Sequence, residues 1–134
     1  MSEKKNQLLK VSLVLSAIIL LVYGVVYLFF PGFQIKMTGG EPIPSFWINW
    51  FGGLMIAVGV GCILVIRNPA KQGILVTVVL IASIVTALAL YQQVIFSWDD
   101  SYNMLNTLIP AIVLTVMSIL LWLSLRQSKE ILWK

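Results

Sequence analysis

The chain is 134 residues long, 60% hydrophobic and only 10% charged, with a mean hydropathy of +0.98 and a net charge of +4. A charged fraction so far below the roughly 25% of soluble domains leaves no separate soluble domain to expect, and the basic residues are too dispersed for a phosphate-binding surface. Histidine is absent and Cys62 is the single cysteine, which excludes an internal disulfide, a CxxC exchange pair and the commonest haem and zinc ligand.

Four apolar stretches run over 8–30, 46–66, 74–96 and 104–125, and the nine basic and five acidic residues lie at their edges or between them, with only Lys10 intruding. Each stretch has the roughly 20 apolar residues that a helix needs to cross the hydrocarbon core of a bilayer. The expected fold is all-α: a single membrane domain over 1–134, built as an antiparallel bundle of four transmembrane helices.

The first stretch follows Lys4 and Lys5, as a signal peptide would, but it is longer than a signal h-region and leaves through Phe29-Phe30-Pro31-Gly32 without a small-residue cleavage pattern. It reads as a retained anchor. Ser12, Ser16, Tyr23 and Tyr27 share one of its faces. The connection that follows, 31–45, contains Gly39-Gly40, Pro42 and Pro44, and its Phe33, Ile35 and Met37 alternate with polar residues. Such a segment is expected either to lie along the outer interface or to cover the end of the bundle.

The second stretch places Asn49, Gly53, Ala57 and Gly61 four residues apart, with Gly52 and Gly59 in a neighbouring row. In lipid, small residues mark faces where helices approach closely. Gly53, Ala57 and Gly61 are therefore the expected helix-packing row, within the bundle or between two copies, in preference to a substrate path. Asn68-Pro69 then marks a short turn over 67–72.

The third stretch carries Ala82, Thr86, Ala89 and Gln93 on one face. The fourth carries Thr107, Ala111, Thr115, Ser118 and Trp122. One small or polar stripe per helix predicts that the four stripes converge and that Leu, Ile and Val face lipid, the hydroxyls bonding across helices or back to their own carbonyls. Trp47, Trp50, Trp98, Trp122 and Trp133 fall near predicted span ends, where indoles anchor at the interface.

Lys4, Lys5, Lys10, Arg67, Lys71, Arg126, Lys129 and Lys134 fall on one side of a four-span arrangement, and only Lys36 on the other, beside Glu41, Asp99 and Asp100. The positive-inside rule then places both termini in the cytoplasm. On the opposite, outer half lie Tyr23, Tyr27, Asn49, Tyr91, Gln93 and Asn106, together with Pro110, which removes a helical N–H. These residues either solvate the interface or line a pocket for a neutral ligand.

The run Tyr23-Gly24-Val25-Val26-Tyr27-Leu28-Phe29-Phe30-Pro31 closes the first span. Trp50-Phe51-Gly52-Gly53-Leu54-Met55-Ile56-Ala57-Val58-Gly59-Val60 opens the second, and Arg67-Asn68-Pro69 ends it. This pattern resembles the small four-helix bacterial membrane proteins of the BphX and DoxX-like type. The resemblance implies a multi-pass protein of the bacterial cytoplasmic (inner) membrane. Some DoxX-like proteins are subunits of quinone-reducing oxidoreductases, a role not carried over because no redox centre is matched. Membrane sterol isomerases of similar shape use intramembrane carboxylates, which this chain lacks.

The functional expectation is a protein without a catalytic centre, metal site or cofactor, acting as an accessory subunit or as a binder of a neutral hydrophobic molecule. The alternative is a small transporter or exporter that works without an intramembrane carboxylate, as a dimer. The partners implied are the lipid bilayer, a hydrophobic ligand (lipid or quinone-like), and a second copy or another membrane protein; nucleic acid is excluded. Asp99-Asp100 reads as a solvated outer loop.

Overall fold

The computed structural model describes residues 2–38, 45–96 and 104–134, with side chains described over 6–37, 47–96 and 104–134. All secondary structure among them is helical: α1 (Ser2–Phe29), α2 (Pro31–Thr38), α3 (Ser45–Arg67), α4 (Gly73–Phe96), α5 (Met104–Gln127) and α6 (Lys129–Trp133). Glu41, Trp98, Asp99 and Asp100 lie outside the described residues. Four helices are long and apolar enough to cross a membrane, over Asn6–Phe29, Trp47–Arg67, Gly73–Phe96 and Met104–Gln127. At 1.5 Å per residue a helix of 24 residues spans about 36 Å, and its backbone groups bond internally, as a solvent without hydrogen-bonding partners demands.

The long helices are joined through two main seams, α1 against α3 and α4 against α5, with α1 also packed on α5. At the α1–α3 seam two glycines bring the backbones together. A Cβ on Gly52 would come within 2.6 Å of the Leu28 nitrogen and 2.8 Å of the Gly24 oxygen, and one on Gly24 within 2.7 Å of Ile56. Further along, Gly59 faces Leu21. Residues 52, 56 and 59 follow the i, i+4, i+7 spacing of one helix face.

The adjoining row is left outside. A Cβ on Gly53 would meet nothing within 4 Å, Ala57 is exposed, and a Cβ on Gly61 would meet only Leu75, at 3.7 Å. Within this chain the close helix approach therefore uses Gly52, one residue away from the expected row.

Hydroxyls join α1 to α5. Ser12 and Ser124 are fully buried with their oxygens 2.7 Å apart, and each also reaches a carbonyl on its own helix, Leu8 or Leu120. Ser16 donates to the Ser12 carbonyl at 2.8 Å. A hydroxyl in a dry interior has no water to turn to, so it is retained where a carbonyl or second hydroxyl is in reach.

In α4 the buried face is Val76, Val79, Leu80, Ser83 and Ala87, whereas Ala82, Ala89 and Gln93 are exposed. The expected convergence of stripes is partial here, since Thr86 and Gln93 line a cavity between the helices while Ala82 and Ala89 lie outside, and the reason is physical. Lipid is as apolar as leucine, so nothing drives aliphatic side chains out of the bundle, and shape decides which face is packed. The exterior is a continuous apolar sheath that includes Val14, Ile18, Val22, Ile74, Val78, Ile81 and Val85.

Two short helices close the ends. Pro31 occupies the first position of α2, where its missing N–H costs nothing. The apparent alternation of Phe33, Ile35 and Met37 is thus part of a helix, packed on α1, α3 and α5. At the other end, α6 folds under the turn between α3 and α4. Leu132 is fully buried, and the Lys71 N–H donates to the Ile131 carbonyl at 3.3 Å. The Trp133 indole lies over Gly73, where an added Cβ would approach its ring to 2.5 Å. One face of that tryptophan is consequently a packing surface as well as the expected interface anchor. Lys71 reaches this position with φ +61°, a left-handed conformation that tight turns use.

The two adjacent glycines of α3 make opposite predictions. Gly52→Ala should destabilise the bundle by about 1–3 kcal/mol, because backbone on α1 must move. Gly53→Ala should be neutral or gain up to about 1 kcal/mol of helix propensity. Unfolding of both variants by denaturant in mild detergent, read as a shift in midpoint, checks the contrast.

Candidate functional site

Toward the α2 end of the bundle the four long helices do not meet, and a cavity of about 250 Å³ remains. Each wall is one helix face. Ile19, Leu20, Tyr23 and Tyr27 come from α1, Phe51 and Met55 from α3, Thr86, Leu90 and Gln93 from α4, and Asn106, Thr107, Pro110, Val113 and Leu114 from α5. Gln34 of α2 completes the rim.

The lining is graded along the bundle axis. Its inner part is mainly aliphatic, with Ile19, Leu20, Met55 and Leu114. The part nearest α2 carries Tyr27, Gln34, Gln93 and Asn106, with Tyr23 about 9 Å inside the end of α1 at 1.5 Å per residue. No charged side chain is among the described residues that line it.

The polar end is held in place by rings and a cross-link. Tyr23 and Tyr27, one turn apart, meet edge to face with centroids 6.1 Å apart and planes at 88°. This is a favoured arrangement of aromatic quadrupoles. Phe51 lies 6.1 Å from Tyr27 and extends the aromatic wall onto α3. The Asn106 amide donates to the Met37 carbonyl, tying α2 to α5. Pro110 has no N–H to offer the Asn106 carbonyl four residues back, and both residues line the cavity.

Of the six residues expected at a pocket, Tyr23, Tyr27, Gln93 and Asn106 line this cavity and two do not. Tyr91 points into the α4–α5 seam, its hydroxyl 3.0 Å from that of Thr115. Thr115 gives its own proton to the Ala111 carbonyl at 2.8 Å, so Tyr91 is the donor. Asn49 is half-buried on α3 and is not part of the lining.

Gln34, Phe51, Met55 and Leu90 line the cavity without having been marked by sequence reasoning. Gln34 was obscured by reading 31–45 as a loop, although Pro31 followed by seven residues free of Pro, with Gly39 beyond, is a helix signal. Phe51, Met55 and Leu90 are apolar residues in apolar spans, and no periodicity separates them from lipid-facing neighbours.

Two shallower grooves adjoin the cavity. One, of about 220 Å³, runs beneath α2 and is lined by Phe33, Gln34 and Met37, with Asn106 and Pro110 opposite. The other, of about 120 Å³, lies between α3 and α4 and shares Leu20, Phe51, Met55, Thr86 and Leu114 with the cavity.

Comparison with known proteins finds no matching family model, no matching curated protein and no matching solved structure. The site is therefore read on its own chemistry.

Asn106→Leu should remove the side-chain tie to α2 while leaving the Tyr23–Tyr27 pair in place. Amide hydrogen exchange over 31–38 should rise in this variant, and exchange over α4 should stay unchanged.

Proposed function

We propose that this chain binds a neutral hydrophobic molecule, a lipid or quinone-like compound, in the cavity at the α2 end of the bundle, and that it carries out no catalysis of its own. The observation behind this reading is the graded cavity: an aliphatic floor beneath a rim of hydroxyl and amide groups. Such a site offers apolar surface for a ring or chain and a few directed hydrogen bonds for a head group. An ionic head would have to shed its hydration with no opposite charge among the described lining residues, which costs several kcal/mol in a low-dielectric site. The same cavity favours binding over a purely accessory role or an exporter.

The proposal includes an antiparallel bundle in the bacterial inner membrane with both termini cytoplasmic. Contacts Gly24–Gly52 and Leu21–Gly59 step in opposite directions along α1 and α3, which supports the antiparallel arrangement. Basic residues at the turn and C-terminal end (Arg67, Lys71, Lys129 and Lys134), against Lys36 on α2, support the orientation. Kinship with BphX and DoxX-like proteins rests on the runs 23–31, 50–60 and 67–69. Gly24 and Gly52 within those runs are at the α1–α3 contact.

Native mass spectrometry of the protein released from nanodiscs tests the proposal. The wild type should carry a neutral copurified molecule, lost from the Tyr23→Phe/Gln93→Leu double variant and kept by Tyr91→Phe, which lies outside the cavity. Retention by the double variant at the wild-type level would overturn it.

A further inference from the structure

The cavity does not end at its own walls. Its neighbour groove between α3 and α4 shares Leu20, Phe51, Met55, Thr86 and Leu114 with it and continues past Leu54, Val58, Val79 and Ala82. Leu54 and Ala82 are exposed on the surface of the bundle. Among helices consecutive in the chain, α3 and α4 are the least closely packed pair of long ones, and they touch near their shared turn at Gly61 and Leu75. The groove is therefore an apolar slot running from the polar-rimmed cavity to the outer surface of the bundle.

We infer that this slot holds the hydrocarbon chain of a single-chain amphiphile whose hydroxyl-bearing, uncharged head sits in the cavity. The inference rests on the cavity-binding reading and names the ligand class and its path. Size, chain path and head chemistry carry it separately.

The space of about 250 Å³ in the cavity falls below the roughly 300–1,000 Å³ of small-molecule sites. It accepts a head and the start of one chain but has no room for a two-chain lipid. A chain that leaves bilayer lipid for the protein gains little hydrophobic energy, because both surroundings are apolar. It must still remain in apolar surroundings throughout, and the α3–α4 slot supplies such a path. The slot's hydroxyl at Ser83 is occupied, donating to the Val79 carbonyl at 2.7 Å, and its other hydroxyl, Thr86, lies where the slot joins the cavity.

The lining decides the head. The Tyr23 hydroxyl and the Gln93 amide offer acceptors as well as donors, and a hydroxyl answers both where an acceptor-only quinone ring answers only the donors. Among lipid and quinone-like heads the structure thus favours the alcohol.

Binding of monohexanoylglycerol and monopalmitoylglycerol to the full chain in nanodiscs, titrated by native mass spectrometry, tests the inference. Each variant is compared with wild type at the same chain length, so partition into the bilayer cancels. Ala82→Trp, and independently Val58→Trp from the opposite wall, should weaken the palmitoyl compound by about tenfold or more through overfilling of the slot. The hexanoyl compound should change less than about twofold, since its chain ends within the cavity.

A palmitoyl analogue with a diazirine far along its chain should label wild-type α3 and α4 around Leu54, Val58, Val79 and Ala82. Equal effects of Ala82→Trp on both chain lengths, or labelling confined to α1 and α5, would overturn the slot while leaving the cavity reading intact. Binding of neither compound to the wild type would overturn both. Tighter binding of an alkyl quinone than of the matching glyceride would overturn the assignment of the head.

Discussion

Gly24 and Gly52 bring two helix backbones into contact where a single added carbon on either would collide with the other helix. In water such a contact would be a small addition to the burial of apolar surface. In hydrocarbon it becomes a leading contribution, because helices gain nothing by hiding leucine from lipid that is itself leucine-like. Close backbone approach, dispersion between well-fitted surfaces and a few buried hydrogen bonds are what remain. The α1–α3 seam uses the first two and the Ser12–Ser124 contact between α1 and α5 uses the third. The architecture of the site depends on this division, since close approach on one side of α3 leaves α4 free to stand off on the other.

The cavity follows from where small residues stop. Near Gly24 and Gly52, α1 and α3 are in contact, but facing α4 and α5 their side chains are Tyr23, Tyr27, Phe51 and Met55. The aromatic rings among them pack edge to face or tilted against one another, and space opens beyond them. Pro110 prevents α5 from closing its own hydrogen-bond ladder at that level, and α2, tied through Asn106, covers the end. Hydroxyl and amide groups at the rim and a mainly aliphatic floor then give the space a direction along the bundle axis.

Much of this was readable from residue order and part was not. The four long helices occur where apolar length demands them, within one residue at all four ends that lie toward α2, with α1 and α5 extending further at the charged end. Tyr23, Tyr27, Gln93 and Asn106 share a cavity because polar residues in apolar spans are few and tend to turn toward one another. Tyr91 resembles them in composition but is turned into the α4–α5 seam by a rotation of two residues along α4. The choice of Gly52 over Gly53 is of the same kind. Neighbouring residues on a helix differ by about 100° in direction, and small side chains alone do not say which of two adjacent rows a partner occupies. The C-terminal helix was hidden for another reason. It is a short element whose order comes from docking Leu132 and Trp133 against α4, since a helix of that length is not stable by itself.

Residue order by itself determined the solvent, the number of long helices, the ends where charge accumulates and the near absence of charge within the spans. Those properties follow from the free energy of placing charge and bare backbone in hydrocarbon, which is large and independent of neighbours. The tertiary structure alone decided which glycine row forms the α1–α3 seam, that 31–38 is a helix over the cavity, and that the cavity continues between α3 and α4. These are set by shape complementarity worth about a kilocalorie per contact, and such small differences are resolved only when all the surfaces are brought together.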